Sequence, residues 1–114
     1  MNIEISLSCF GKGAKELGKS PAIQGIAVEK NDRYIIITYQ NESNLYLEEM
    51  IDDFLKKISS INMTGFGRKL FRIAFFVYPS DRVAFFSTEI MNHSLSLIGK
   101  LGADLEVNFY PCEE

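Results

Sequence analysis

The sequence has little of what marks several common protein classes. It contains no tryptophan, one histidine, three prolines and two cysteines. Disulfide-stabilised secreted domains carry many more cysteines, and a structural zinc site needs about four nitrogen or sulfur ligands. Neither class is therefore expected. Cys9 and Cys112 are interpreted as reduced thiols, although a disulfide between them stays open if the first and last strands are neighbours.

Long hydrophobic runs are also missing. The longest apolar stretch, Ile73–Tyr78, is far shorter than the ~18 residues that indicate a transmembrane helix. Residues 1–5 lack a basic segment and a long apolar run, so no signal peptide is predicted. We therefore expect a cytoplasmic protein that has no membrane partner.

The length and charge of the chain limit the number of domains and the kind of partner to be expected. A chain of 114 residues, 46% hydrophobic and 24% charged, predicts one folded domain over residues 1–114 and excludes intrinsic disorder. The net charge of −3 disfavours a protein that binds nucleic acid through a large positive field. Nucleic acid is therefore not expected as a partner.

Period-two alternation and β-branched residues predict six strands. They span residues 2–10, 23–29, 34–39, 70–78, 82–86 and 103–110. The pair Asn31-Asp32 is typical of a turn between the second and third strands, and Pro79–Asp81 of a turn after the fourth.

Apolar stripes at helical spacing predict two long helices, over residues 45–59 and 88–101, and a short helix over 12–18. Ser43 or Asn44 is expected to cap the first long helix and Ser87 the second. Gly102 is expected to end the second in a left-handed conformation. Two similar β-α-β units indicate an α+β fold: a single antiparallel-rich, ferredoxin-like sheet with both long helices on one face.

Residues 13–20 match the phosphate-loop pattern in every specified position. A working phosphate loop needs a helix that continues from Lys19-Ser20. Pro21 follows at once and disfavours helical geometry at Ser20. We therefore interpret the segment as a short helix and a turn, with no cofactor predicted.

His93 and the early acidic residues of the first long helix are the other candidates for chemistry. Glu89 precedes His93 by four residues, so a carboxylate–imidazole pair on one helix face is conceivable. Glu48, Glu49, Asp52 and Asp53 could bind a metal or act as acids and bases. Acidic residues at a helix start more often match the helix dipole, and a lone helical histidine is usually a surface residue. No catalytic or metal site is predicted.

Aromatic residues crowd into the predicted hairpin of residues 70–86. Because strand side chains alternate, Phe75 and Phe76 must point to opposite faces, as must Phe85 and Phe86. One member of each pair lies on the face away from the helices. That face is either covered or an exposed aromatic patch of the kind that binds a ligand or forms a homodimer.

Charge is segregated along the chain. Residues 41–60 hold five acids and two lysines, a local balance of −3. Exposed carboxylates on a rigid helix can complement a basic protein and raise its association rate. Ordinary solubilising charge is the alternative interpretation.

The last third of the chain resembles a known pattern. Val83–Ser87, Glu89-Ile90 and Leu97–Tyr110 are similar to the closing signature of the bacterial family called domain of unknown function 4279. The chain departs from that family in lacking its usual tryptophan and in having Asn108 where an aspartate is common. The resemblance implies a small α+β cytoplasmic protein and no catalytic residues, and some members resemble immunity proteins of toxin systems.

These observations predict a non-enzymatic bacterial protein that binds another protein. The leading hypothesis is an immunity protein that neutralises a basic toxin domain by charge complementarity. Its expected contact residues are Glu48, Glu49, Asp52 and Asp53. The alternative is a module that senses or binds a small molecule through the aromatic hairpin. The third hypothesis, and the one least supported by the sequence, is a nucleotide-dependent enzyme that acts through residues 13–20.

Overall fold

The structure is a computed structural model that describes residues 2–16, 23–40, 46–63, 65–81 and 89–113. The elements in chain order are β1 Asn2–Phe10, α1 Gly13–Glu16, β2 Ile26–Lys30, β3 Tyr34–Tyr39, α2 Leu47–Ile58, β4 Arg68–Val77, α3 Asn92–Lys100 and β5 Asp104–Pro111. A 3-10 turn at Pro79–Asp81 follows β4. The strand expected at residues 82–86 lies outside the described residues.

The strands form one five-stranded sheet in the order β2-β3-β1-β4-β5. Neighbours are antiparallel from β2 to β4, whereas β5 runs parallel to β4. Parallel neighbours need a crossover connection, and α3 lies within the connection from β4 to β5. The α+β class is thus confirmed, with a mixed sheet and the two long helices α2 and α3.

The core gathers apolar side chains from one side of the sheet and from both long helices. Odd-numbered residues of three neighbouring strands contribute Ile5, Leu7, Cys9, Ile35, Ile37, Tyr39, Phe71, Ile73 and Phe75. The helical members of the same cluster are Ile51, Phe54, Ile58 and Ile98. Strand β1 is the central strand of the sheet, and its residues Ile5, Leu7 and Cys9 are fully buried in this core.

The two long helices begin later than the sequence predicts, and the predicted caps are wrong. The N-cap of α2 is Tyr46, whose backbone N–H donates to Glu49 Oε1 at 3.3 Å. The N-cap of α3 is Met91. Ser43, Asn44 and Ser87 lie outside the described residues. Carboxylates within α2 take the place of the short polar caps that local sequence suggests.

Several local predictions are confirmed. Asn31 Oδ1 accepts the backbone N–H groups of Arg33 at 2.8 Å and Tyr34 at 2.9 Å, which fixes the turn between β2 and β3. Gly102 has a φ of +71°, the left-handed conformation that ends a helix at little cost in glycine. Strand β2 begins at Ile26 rather than residue 23 because residues 24–25 form a turn.

Candidate functional site

The side of the sheet that faces away from the core carries mainly polar residues and is here called the polar face. It consists of the even-numbered residues of β1, β3, β4 and β5. Its centre is closely packed, since Ser6 and Ser8 are buried beside Leu70 and Ala74. The residues at the ends of the strands remain exposed to solvent. A ligand can therefore reach the polar face at its edges but not at its centre.

A pocket of about 400 Å³ lies at the margin where β1 begins and β3 and β4 end. It is lined by Asn2, Ile3, Glu4, Thr38, Tyr39, Gln40, Phe76 and Tyr78. Strand register explains this grouping, because Asn2 is opposite Phe76 and Glu4 is opposite Ala74.

The pocket combines a carboxylate with aromatic rings. Glu4 is exposed, and its side chain has no hydrogen-bond or ion-pair partner among the described residues. The ring of Phe76 stacks on that of Tyr110, with centroids 5.2 Å apart and planes at 19°. The Phe76 ring thus packs against Tyr110 at one wall of the pocket. A carboxylate beside an aromatic ring is suited to a positively charged ligand.

The basic residues of β4 on the polar face are paired with acids of β5. Arg72 Nε donates to Glu106 Oε1 at 3.0 Å, and Asn108 Nδ2 donates to the same oxygen at 2.6 Å. The Asn108 hydrogen bond, followed by the charge of Arg72, lowers the pKa of Glu106. Arg68 lies 3.6 Å from Asp104. Both arginines of β4 on the polar face therefore lie beside an acidic residue of β5.

The predicted aromatic hairpin is divided between the two faces. Phe75 lies in the core, whereas Phe76 lines the pocket, which confirms that they point to opposite sides. Tyr78 also lines the pocket. Arg82, Phe85 and Phe86 lie outside the described residues.

The acidic residues predicted as a partner-binding surface make contacts within the chain. Glu48 accepts the backbone N–H of Met91 at 2.9 Å and the hydroxyl of Ser94, both at the start of α3. Glu49 caps α2 through the contact with Tyr46. Two of the four thus fix helix starts.

Of the other two predicted contact residues, Asp53 accepts hydrogen bonds, whereas Asp52 lies near a histidine without a hydrogen bond to its Oδ1. Asp53 accepts the Tyr39 hydroxyl at 2.5 Å and Lys57 Nζ at 3.1 Å. The Tyr39 hydrogen bond is the main cause that lowers the pKa of Asp53. Asp52 Oδ1 is 3.4 Å from His93 Nε2. Of the four residues, Glu49 is exposed and the other three are half-buried.

The pairing of His93 with Glu89 on one helix face, which the sequence left conceivable, is not formed. Glu89 precedes α3, so the two residues do not share a helix face. The His93 side chain is 72% exposed and faces Asp52 of α2 instead. This histidine is a surface residue at the contact between two helices.

The phosphate-loop pattern begins in a helix. Residues 13–16 form α1, and the Gly13 N–H donates to Gly65 O at 3.0 Å. A phosphate loop needs an open turn whose amides point at the ligand. Residues 17–20 lie outside the described residues, but the first amide of the pattern is already occupied by the protein backbone.

The cysteines are free thiols in this structure. Cys9 is fully buried in the core, and burial raises the pKa of its thiol to about 11. A thiol with this pKa is a weak nucleophile at neutral pH. Cys9 therefore acts as a small core residue.

Within the part of the chain that the structure describes, no group of three or more His, Cys, Asp or Glu side chains is placed to hold a metal ion. No helix among the described elements has the length and apolar character required to cross a membrane.

Comparison of the chain with protein-family models, with curated proteins and with solved structures finds no match.

Sequence reasoning did not identify the pocket. The alternation in β1 places Glu4 away from the core, which was visible in the sequence. Its position beside Phe76 depends on β4 pairing with β1 in one particular register. No local signal gives the register of strands that are about seventy residues apart.

Proposed function

We propose a ferredoxin-like α+β domain with both long helices on one face, extended by β5. The strand order β2-β3-β1-β4 with antiparallel neighbours supports it. So does a core cluster that combines both helices with one side of the sheet. We place this domain in the cytoplasm, as one unit over residues 1–114.

We propose further that the protein is a non-enzymatic module that binds a small organic cation in the pocket of the polar face. The observation that carries this proposal is the Glu4 carboxylate, which has no partner among the described residues and lines the same pocket as the Phe76 ring. The carboxylate supplies an ion pair, and the ring attracts the cation through its π-face. Asn2, Thr38 and Gln40 supply hydrogen-bonding groups around the rim.

The size of the pocket limits the ligand. Small-molecule sites commonly enclose about 300–1,000 Å³, so about 400 Å³ fits a compact ammonium compound. The two arginines of β4 on the polar face, Arg68 and Arg72, each form an ion pair with an acidic residue of β5. A positively charged ligand therefore meets no opposing charge from these two residues.

A thermal-shift and calorimetric screen of choline, tetramethylammonium and short diamines tests the proposal, with tert-butanol as the neutral counterpart. We expect cations alone to raise the melting temperature. Glu4→Gln should weaken binding at least about tenfold, equal to about 1.4 kcal/mol. Glu29→Gln, an exposed carboxylate on β2 outside the pocket, is the matched control. Equal effects of cations and tert-butanol would contradict the proposal.

A second candidate function is the neutralisation of a basic toxin domain through α2, as an immunity protein would do. The resemblance to the domain of unknown function 4279 family suggests it, and the exposed Glu49 beside the partly exposed Asp52 supports it. Glu48 and Asp53 hold α3 and β3 in place, so they are unsuitable for charge reversal.

The test reverses the charge of only the two residues that do not hold other elements in place, Glu49 and Asp52. Glu49→Lys with Asp52→Lys should abolish co-purification with a toxin domain encoded beside the protein. Glu113→Lys changes the charge of an exposed residue elsewhere and should leave the complex intact. Retention of the complex by the double variant would remove α2 from the mechanism.

A further inference from the structure

Strand β5 lies at the edge of the sheet and carries apolar residues that reach solvent. Among the described strands it pairs with β4 alone. On the side of the sheet that bears the core, Leu105 is 36%, Val107 46% and Phe109 48% exposed. Edge strands of monomeric proteins usually carry lysine, proline or a bulge that blocks further pairing. Strand β5 contains no lysine, and its one proline, Pro111, stands at its last position.

The other edge of the described sheet is different. Strand β2 has five residues and ends in Glu29-Lys30. Strand β5 has eight residues, and short length is one of the devices by which edge strands avoid pairing. The contrast singles out β5 as the edge suited to a partner.

The hydrogen bond from Cys112 N to Val77 O, 2.7 Å long, shows which backbone groups of β5 point outward. In a strand, the N–H and C=O of one residue point to the same side, and successive residues alternate. Even-numbered residues of β5 therefore bond to β4. The N–H and C=O groups of Leu105 and Val107 point away from β4, toward the edge.

We infer that the chain forms a two-fold dimer in which β5 pairs antiparallel with β5 of a second copy, centred on Val107. In this register Val107 is opposite its own copy, and Leu105 is opposite Phe109 of the second copy. Outward backbone groups then meet outward backbone groups, and the exposed apolar side chains form one row. Pro111 lacks an N–H at an outward position, so the ladder ends there.

Charge selects this register over its neighbours. Centring on Val107 places Glu106 opposite Asn108 and Asp104 opposite Tyr110, so no like charges are opposed. Centring on Glu106 would oppose two glutamates, which is destabilising. Centring on Asn108 would place Leu105 opposite Pro111 and lose a hydrogen bond. A two-fold pair also closes on itself, which limits the assembly to a dimer.

The test measures mass by sedimentation over a range of protein concentrations. We expect a concentration-dependent dimer of the unmodified chain and loss of that dimer in Val107→Lys, because two lysines would then be opposed. Tyr46→Lys, which replaces an exposed aromatic residue beside α2, should leave the dimer intact. A monomer at every concentration, or a dimer that survives Val107→Lys, overturns the inference.

A charge-swap experiment separates lost pairing from lost folding. Val107→Lys and Val107→Glu should each be folded monomers by circular dichroism, and their mixture should form a heterodimer. Only direct opposition of the two 107 positions predicts this rescue. Failure of the mixture to associate overturns the Val107-centred register, whatever each variant does alone.

Discussion

Gly13 begins α1, and its backbone lies in direct contact with the backbone of the loop around Gly65. A Cβ at Gly13 would stand 2.8 Å from Gly65 C and 2.9 Å from Phe66 N. Backbone atoms cannot move aside as a flexible side chain can, so the packing here requires glycine. The glycine that opens the phosphate-loop pattern thus has a structural reason to be there.

Two glycine substitutions should therefore have opposite effects. Gly13→Ala should lower the free energy of unfolding by about 1–3 kcal/mol through overpacking. Gly99→Ala, in α3 with no atom within 4 Å of its Cβ, should raise it by roughly 0.5–1 kcal/mol because alanine favours the helix. Urea unfolding followed by circular dichroism measures both. Stability changes of the same sign would contradict the packing described for Gly13.

Tyr39 and Asp53 give a pH-dependent contribution to stability. Because the hydrogen bond from Tyr39 lowers the folded pKa of Asp53, this carboxylate stabilises the protein above its ordinary pKa. That contribution is lost as pH falls through the lowered folded value. Tyr39→Phe should cost about 1 kcal/mol at neutral pH, a figure reduced by solvent screening at the partly exposed Asp53.

The measurement is urea unfolding from neutral to acidic pH. The difference between Tyr39→Phe and the unmodified chain should shrink as pH falls through the folded pKa. NMR titration should show the Asp53 pKa rising in the variant. Tyr34→Phe, whose hydroxyl is 3.5 Å from Glu29 Oε1 at an exposed site, is the control and should have little effect. A pH-independent difference would argue against the hydrogen bond as its cause.

Between elements, Glu48 connects α2 to the start of α3. Its carboxylate accepts the Met91 N–H and the hydroxyl of Ser94, which is fully buried. A negative charge near the N-terminus of a helix also stabilises the helix through its interaction with the helix dipole. Glu48 thus sets where α3 begins and how it lies against α2.

A double-mutant cycle on Glu48→Ala and Ser94→Ala should give a coupling energy of about 1–2 kcal/mol, because either change alone removes the hydrogen bond to a buried group. The matched pair Asp52→Ala and His93→Ala joins the same two helices at the surface and should give less than about 0.5 kcal/mol. Urea unfolding measures both cycles. Equal coupling in the two cycles would contradict the role given to Glu48.

The elements show where sequence is sufficient and where it is not. Alternation over nine residues gives the bounds of β1, and the β-branched run gives those of β3. The start of α3 is not readable locally, because its cap comes from Glu48, 43 residues earlier than Met91. The same limit applies to the pocket, since Glu4 and Phe76 meet only through strand pairing.

At the scale of the whole molecule, the acidic charge of α2 has a different meaning from the one its sequence suggests. A helix start with Glu48, Glu49, Asp52 and Asp53 predicts a surface for a basic partner. In the fold, Glu48 and Asp53 bind α3 and β3, so much of this charge holds elements together. The unpaired Glu4 contributes a single charge but is placed where a ligand can reach it.

Hydrogen exchange should report the same organisation across the sheet. Amides of the central strand β1, which pairs on both sides, should exchange most slowly, and those of the edge strands β2 and β5 faster.

Within β5 of the monomeric Val107→Lys variant, the Glu106 and Asn108 amides bond to β4 and should be protected. The Leu105 amide points outward and should not be. In the unmodified chain at high concentration, Leu105 should gain protection while Glu106 changes little, because only the outward amides form new hydrogen bonds in the dimer. Uniform protection along β5 in both proteins would contradict both the alternation of its backbone groups and the pairing of its edge.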